Sequence, residues 1–242
     1  MSASAAALPR SLIRLRNDLL IVSPDLLFLE LCADSSFDDI ELVQIAFELC
    51  GTYVLDSSWD GFTNTDRAIT SSQRLERFAV RAKSMRGAKR ARRLASLVID
   101  GSHSPMESVM AMLLCLPHRM GGMGFSGGRL NVRVMTVDGP RWVDLVFPGG
   151  VGLEYQGRHY HSVERTGRDA QRQHQLIGAG VTTMNVWYQD LANPHQFERL
   201  AADLATALGV RLRVRARGFE QKRAVLRARI LPSLNSSCLT DL

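Results

Sequence analysis

The feature that most constrains the fold of this chain is a short hairpin pattern with one carboxylate on each arm. Apolar residues flank the turn Pro148-Gly149-Gly150 in a way typical of two paired β-strands. Asp144 lies five residues before Gly149 and Glu154 five residues after it, so a hairpin closed at this glycine places the two acids opposite each other. Because like charges in opposed positions destabilise a sheet, the pattern predicts a compensating ligand, and a divalent cation is the usual one.

Strand alternation adds a third polar group to this hairpin. Side chains alternate along a strand, so Glu154 and Gln156 should share one side, and cross-strand pairing should put Asp144 on that side too. Two carboxylates at this separation can hold a hard divalent cation, which can lower the pKa of an attacking water and stabilise a phosphate transition state. Gln156 can orient such a water, but its amide supplies neither a base nor a positive charge.

Length and composition are those of an ordinary globular protein. The 242 residues, 45% hydrophobic and 22% charged, suffice for one large domain or two small ones. No apolar run approaches the roughly 20 residues of a membrane span, and the amino terminus lacks the pattern of a signal peptide. The four cysteines are scattered and form no CxxC pair, so they are expected to be buried and reduced. These features predict a cytoplasmic protein without membrane contact.

The positive charge of the chain is concentrated at its carboxyl end. From Gly209 onward there are eight basic and two acidic residues, which accounts for the whole formal net charge of +6. A second basic segment, residues 83–93, is balanced by acidic residues elsewhere in its half. Basic segments favour polyanionic partners such as nucleic acid, and a solvated surface is the structural alternative.

The order of apolar patterns predicts an α/β protein. Residues 24–98 have helical spacing, and a further helix begins at Ser104-Pro105. Three short strands (130–137, 141–147 and 151–155), a helix (164–179), a strand (182–188) and a helix from Asn193 follow. A basic strand and a basic helix are expected to end the chain. This order predicts a mixed sheet with helices packed on its faces.

An ordered series of short motifs in this second half resembles a known superfamily. The motifs are Ser104-Pro105-Met106-Glu107-Ser108, Val143-Asp144-Leu145, Leu153-Glu154-Tyr155-Gln156-Gly157, Tyr160-His161, and Arg168-Asp169 with Arg172. Over about residues 100 to 210 they resemble the DUF559 branch of the PD-(D/E)xK nucleases, akin to very-short-patch-repair endonucleases. The preceding helical part, which begins at Ser23-Pro24, loosely resembles the middle of AbiEi-type antitoxin proteins.

The resemblance implies a restriction-endonuclease-like, four-stranded mixed sheet flanked by helices, and phosphodiester hydrolysis of DNA that depends on Mg²⁺ (or Mn²⁺). It implies catalytic roles for Glu107, Asp144, Glu154, Gln156 and His161, with Asp144 and Glu154 as the metal ligands. Gln156 stands where the superfamily usually has lysine, so positive charge that would stabilise the transition state is missing at this position. DNA contacts are expected from the helix after the hairpin and from the basic tail, namely from Arg165, Arg168, Arg172, Arg213, Arg215, Arg217, Lys222 and Arg223.

The chain is accordingly divided into a helical N-terminal region (1–100), a nuclease-like domain (101–210) and a basic C-terminal extension (211–242). One site residue has a strong structural alternative, because Ser104 and Glu107 have the spacing of a capping box that closes the start of a helix. A second function also stays open. The fold could be a catalytically degenerate nuclease that binds DNA or acts as an antitoxin-like regulator, with the helical N-terminal region contacting a protein partner.

Overall fold

The computed structural model describes residues 11–14, 19–56, 61–157, 163–214 and 216–231, with side chains omitted for 163–170. In its first half, two small antiparallel hairpins are interspersed with helices. The elements are β1 (Leu12–Arg14), β2 (Leu20–Val22), α1 (Pro24–Ala33), α2 (Asp39–Cys50), β3 (Tyr53–Asp56), β4 (Gly61–Asn64), α3 (Ser72–Arg81) and α4 (Ala88–Ala95). β1 pairs with β2 and β3 with β4.

The expectation that residues 24–98 are mainly helical is confirmed for α1 to α4, and the hairpin β3-β4 between α2 and α3 is an element that was not predicted. Each of these two runs is only four residues long, too short for a stable helix, and aromatic residues favour an extended chain. The rings of Tyr53 and Phe62 meet edge to face at 6.2 Å across the hairpin. The Tyr53 hydroxyl lies 3.0 Å from Ser108 Oγ, so this hairpin is tied to the second half of the chain.

The second half contains the four-stranded mixed sheet that the pattern predicts. Its elements are α5 (Pro105–Cys115), a 3-10 turn (His118–Met120), β5 (Arg129–Thr136), β6 (Gly139–Phe147), β7 (Val151–Gln156), α6 (Val163–Gly178), β8 (Thr182–Trp187), α7 (Tyr188–Ala192), α8 (Pro194–Ala207) and α9 (Phe219–Ile230). The strand order is β5-β6-β7-β8, and only β7 and β8 run parallel. A parallel pair needs a crossover, and α6 provides it.

Helices cover both faces of this sheet. On one face Leu145, Leu153 and Val186 belong to the large core shared with α5 and α8. On the other face Val146 packs with Leu176 of α6. Helix α5 is buried over almost its whole length, as expected for a helix that is apolar on all sides.

Two glycines fix the predicted turn of the hairpin. Gly149 and Gly150 have φ angles of 83° and 76°, in the left-handed region that glycine tolerates. A Cβ atom at Gly150 would lie 2.1 Å from the carbonyl oxygen of Gly180, so no side chain fits there. The turn is thereby held against the start of β8, and the pairing Leu145↔Leu153 follows. A hairpin centred on Gly149 is confirmed.

The carboxyl end differs in part from its prediction. Helix α9 is present, but residues 211–214, expected as a strand, are irregular. Cys32 and Cys50 are buried and unpaired, and Cys115 is partly buried, as expected for thiols in apolar helices. Cys238 lies outside the described residues. None of the described helices is long and apolar enough to cross a membrane.

Candidate functional site

The two strands of the hairpin separate at Asp144 and Glu154. This point, together with the side chains around it, is called the fork below. Regular backbone pairing of β6 with β7 extends from the turn to Leu145↔Leu153 and ends there. At the next step the backbone amide of Tyr155 donates a hydrogen bond to Oδ2 of Asp144, 2.7 Å away. The aspartate side chain therefore takes part in joining the two strands at the point where their ladder ends. Asp144 and Glu154 stand at this fork.

Strand β6 changes face at the same point. Leu145 packs in the core beside α5, whereas Val143 packs with Leu176 on the side of α6. Residues two apart in a regular strand share a face, so alternation is interrupted at Asp144. The prediction that Asp144 and Glu154 share one side assumed regular alternation, which β6 does not keep. The interruption instead points the Asp144 carboxylate sideways toward β7.

Strand β5 is irregular at the same level. Leu130 pairs with Leu145 and Val132 with Val143, so Asn131 lies opposite Asp144. Asn131 has a φ of 47°. Its side-chain amide donates to the carbonyl oxygen of Gly101 at 2.9 Å and to Glu107 Oε2 at 2.5 Å. Asn131 was not among the predicted site residues, although asparagine is enriched among non-glycine residues with positive φ.

Glu107 lies at the start of α5 and makes capping contacts there. The Ser104 hydroxyl donates to Glu107 Oε1 at 3.0 Å and accepts from the Glu107 amide at 3.2 Å. Glu107 Oε2 accepts from the amide of His103, one residue before the cap, at 2.8 Å. The residue is buried. The Ser104 half of the predicted capping box is confirmed, whereas Glu107 bonds to the amide of His103 instead of that of Ser104. The charge of Glu107 also acts on Asp144.

The electrostatic environment of Asp144 is unusual for a carboxylate. The pKa of Asp144 is raised to about 7, mainly by burial and also by the negative charges of Glu107 and Glu154. The hydrogen bond from the Tyr155 amide and the charge of Arg172 act in the opposite direction. Among the residues whose side chains are described, Asp144 thus lies near two further carboxylates, Glu107 and Glu154, and near the guanidinium of Arg172.

That arginine reaches the site from α6. Arg172 Nη2 donates to Glu154 Oε1 and to the carbonyl oxygen of Trp142, each at 2.7 Å. The Glu154 side chain is 12% exposed and that of Arg172 40%, so the ion pair is shielded mainly on the carboxylate side. Arg172 Nε is buried and has no hydrogen-bond partner among the described residues. A positive charge therefore stands directly at the fork.

Gln156 faces the neighbouring strand. Its Nε2 donates to Asn185 Oδ1 at 3.0 Å, and Asn185 lies beside Glu154 in the parallel pairing of β7 with β8. The amide is therefore close to the fork, but it is neutral and hydrogen-bonded to the sheet.

Apart from Arg172, the predicted DNA contacts differ in exposure. Arg213, Arg217 and Lys222 are exposed. Arg223 is 5% exposed and donates to Glu198 at 2.6 Å and to Glu220 at 2.5 Å, a geometry that fits the packing of α9 better than the predicted DNA contact. Arg165 and Arg168 lie on α6, where their side chains are not described, and His161 and Arg215 lie outside the described residues.

The two fork carboxylates are the candidate metal ligands. No group of three or more His, Cys, Asp or Glu side chains in the described part of the chain is arranged to hold a metal ion. Carboxylate oxygens are nevertheless the ligands that Mg²⁺ prefers, and Mg²⁺ is commonly bound through one or two carboxylates together with water and substrate. The donor chemistry of Asp144 and Glu154 therefore fits such an ion.

Comparisons with family models, with curated proteins and with solved structures give no match for this chain. What the protein does has to be inferred from the fork itself.

Proposed function

We propose that this protein is a metal-dependent DNA endonuclease of the PD-(D/E)xK type, with Asp144 and Glu154 as the ligands of Mg²⁺ or Mn²⁺. The observation that carries the proposal is the fork, where Asp144 lies near the charges of Glu107 and Glu154 and Arg172 pairs with Glu154. Carboxylates brought together in a partly buried place cost stability unless a cation joins them. A carboxyl group with a strongly perturbed pKa, as Asp144 has, is typical of functional sites.

Each residue at the fork has a role in this proposal. The bound ion would polarise the scissile phosphate and lower the pKa of the attacking water. Asp144 and Glu154 would hold the ion, and the charge of Glu107 would increase its attraction. Arg172 would supply the positive charge that Gln156 lacks, because its guanidinium already lies at the fork. The restriction-endonuclease-like fold is part of the same proposal, and the mixed sheet with helices on both faces is compatible with it.

Plasmid nicking tests this function. Wild-type protein should convert supercoiled plasmid to the open-circular form in Mg²⁺ or Mn²⁺ and not in a chelator. Asp144→Asn should reduce the rate at least about 100-fold, since one metal ligand is lost. Asp203→Asn, an exposed carboxylate on α8, is the matched control and should cleave like wild type. Cleavage that survives Asp144→Asn would exclude the fork as the active site, and a wild type that neither cleaves nor binds Mn²⁺ would exclude the function.

A second candidate is a DNA-binding or antitoxin-like regulator built on a nuclease fold without catalysis. The observation that favours it is that the protein itself satisfies two groups at the fork: Gln156 bonds to Asn185, and Arg172 holds Glu154. In this case the helical first half would contact a protein partner. DNA binding that weakens steeply with salt, together with no cleavage in any divalent ion, would distinguish it.

In the proposed endonuclease and in a DNA-binding regulator alike, the basic tail is the surface expected to contact DNA. Replacing its exposed cations Arg213, Arg217 and Lys222 by alanine should weaken binding to a labelled duplex. The slope of log K against log salt should fall by about 2 to 3, since each phosphate contact contributes about one, and the melting temperature should not change. Arg223→Ala is the contrasting variant and should lower the melting temperature, because it removes a buried side chain that packs over the Phe219 ring. Fluorescence anisotropy between 50 and 200 mM salt, roughly the range over which phosphate contacts are screened, measures the slope. An unchanged slope in the triple variant would show that the tail does not contact DNA.

A further inference from the structure

Asn131 has the most unusual backbone among the described residues. It is the one non-glycine residue in that part of the chain with a positive φ, 47°, and it lies inside strand β5 rather than in a turn. L-residues rarely adopt this conformation, and where they do so the surrounding structure compensates for the strain. Such residues cluster at functional sites, so the reason for this one lies in what its side chain does.

The left-handed conformation has two consequences. It changes the face of β5, so that Leu130 packs in the large core while Val132 packs on the side of α6. It also directs the Asn131 amide out of the sheet, where it donates to the carbonyl oxygen of Gly101 and to Glu107 Oε2. The second bond joins β5 to the start of α5 at the level of Asp144.

A bend in the strand would not by itself require asparagine. Glycine adopts positive φ without a steric penalty, so it would produce the same bend at lower cost. The helix start does not require Asn131 either, because Ser104 and the amide of His103 already bond to Glu107. The side chain itself contributes two hydrogen bonds. The bond to the Gly101 carbonyl ties β5 to the loop before α5, and the bond to Glu107 Oε2 fixes this oxygen from the side of the sheet.

We infer that Asn131 is a positioning residue that acts through Glu107, holding the Glu107 carboxylate against the fork so that its charge faces Asp144. The inference rests on the proposed function, because a charge held at the fork matters for binding a cation and for cleavage. Partners that orient groups at metal sites typically contribute about 10- to 100-fold to affinity or activity. The effect of Asn131 should lie in this range.

The test is a double-mutant cycle of Asn131→Gly and Glu107→Gln, measured by Mn²⁺ titration calorimetry and by plasmid nicking. Asn131→Gly removes two hydrogen bonds but relieves the strain of the left-handed backbone, and because these effects oppose each other its melting temperature should stay within a few degrees of wild type. Its Mn²⁺ affinity and nicking rate should each fall about tenfold. If Asn131 acts through Glu107, the double variant should be no worse than Glu107→Gln alone, since the charge to be positioned is already absent.

A purely structural role gives a different pattern. Asn131→Gly would then change the melting temperature without changing Mn²⁺ affinity or nicking, or the two losses would add in the double variant. Either result in an active wild-type protein overturns the role of Asn131 and leaves the proposed function standing. A wild type that neither binds Mn²⁺ nor nicks DNA overturns the proposed function, and this role with it.

Discussion

Asp144→Asn is expected to stabilise the protein at pH 8 while it abolishes cleavage. The pKa of Asp144 is raised from 3.8 to about 7 in the folded state, so ionising this group above pH 7 costs the folded protein roughly 2–4 kcal/mol. Asparagine removes the charge and keeps an oxygen that can accept from the Tyr155 amide. We expect the melting temperature at pH 8 to rise by about 5–10 °C, given a few degrees per kcal/mol for a chain of this length.

The pH dependence of this gain has a definite sign. Because the folded-state pKa lies above the unfolded-state value, wild-type stability falls as pH rises between about 4 and 7 and then stays level. The advantage of Asp144→Asn should therefore be largest at pH 8, less than half as large at pH 5, and absent only below about pH 4. Calorimetric melting at pH 8 and pH 5 measures it, with Asp203→Asn as a control that should give no gain at either pH. A gain that is equal at both pH values would mean that charge at Asp144 is not its cause.

Mn²⁺ should reverse the order of the melting temperatures of wild-type protein and Asp144→Asn. A cation that binds the folded state stabilises it by mass action, so saturating Mn²⁺ should raise the melting temperature of wild-type protein and not that of Asp144→Asn. The same experiment thus separates a carboxylate kept for binding a cation from one that merely destabilises the fold. Equal responses of both proteins to Mn²⁺ would place the ion elsewhere.

The parts of the molecule that could be predicted from the sequence depend on local patterns. The turn at Gly149 and Gly150 follows from its turn residues. The order of helices and strands in the second half, α-β-β-β-α-β-α, follows from the period of apolar side chains. Glu107 was recognised as a capping residue for the same reason, because the Ser104-x-x-Glu107 spacing acts within one helical turn. The hairpin β3-β4 was missed because two four-residue runs give too few periods to distinguish strand from helix.

The fork itself could not be predicted, since its features depend on contacts between distant elements. Regular alternation of side chains along a strand predicts Asp144 and Glu154 on one face of the sheet. In the structure, β5 changes face at Asn131 and β6 changes face at Asp144. Arg172 was expected to contact phosphate as one of a row of arginines on α6. Its contact with Glu154 depends on how α6 packs across the sheet, which no local pattern encodes.

Arg172→Gln is the second substitution with a large expected effect. If Arg172 supplies the positive charge that Gln156 lacks, nicking should fall about 100-fold, the usual cost of removing one electrostatic stabiliser of a transition state. Mn²⁺ affinity should stay the same or rise, because a positive charge beside Glu154 has been removed. Binding and cleavage thus change in different directions, which general unfolding would not produce. Calorimetric titration and plasmid nicking on the same preparation measure both. Arg141→Gln is the matched control and should cleave normally. Arg141 lies on β6 and donates to Gln175 of α6, the helix that carries Arg172.

Moving the charge tests whether its presence at the fork is what matters. Gln156 lies two residues after Glu154 on β7 and reaches Asn185 beside it, so a lysine at this position can place its ammonium near the same carboxylate. Adding Gln156→Lys to Arg172→Gln should restore at least about tenfold of the lost rate, since one cation replaces another at the site of developing charge. A double variant that folds, binds Mn²⁺ and stays as slow as Arg172→Gln would show that Arg172 acts by positioning the Glu154 carboxylate and not by supplying charge. Full recovery would show that the glutamine at position 156 is tolerated because α6 carries the cation.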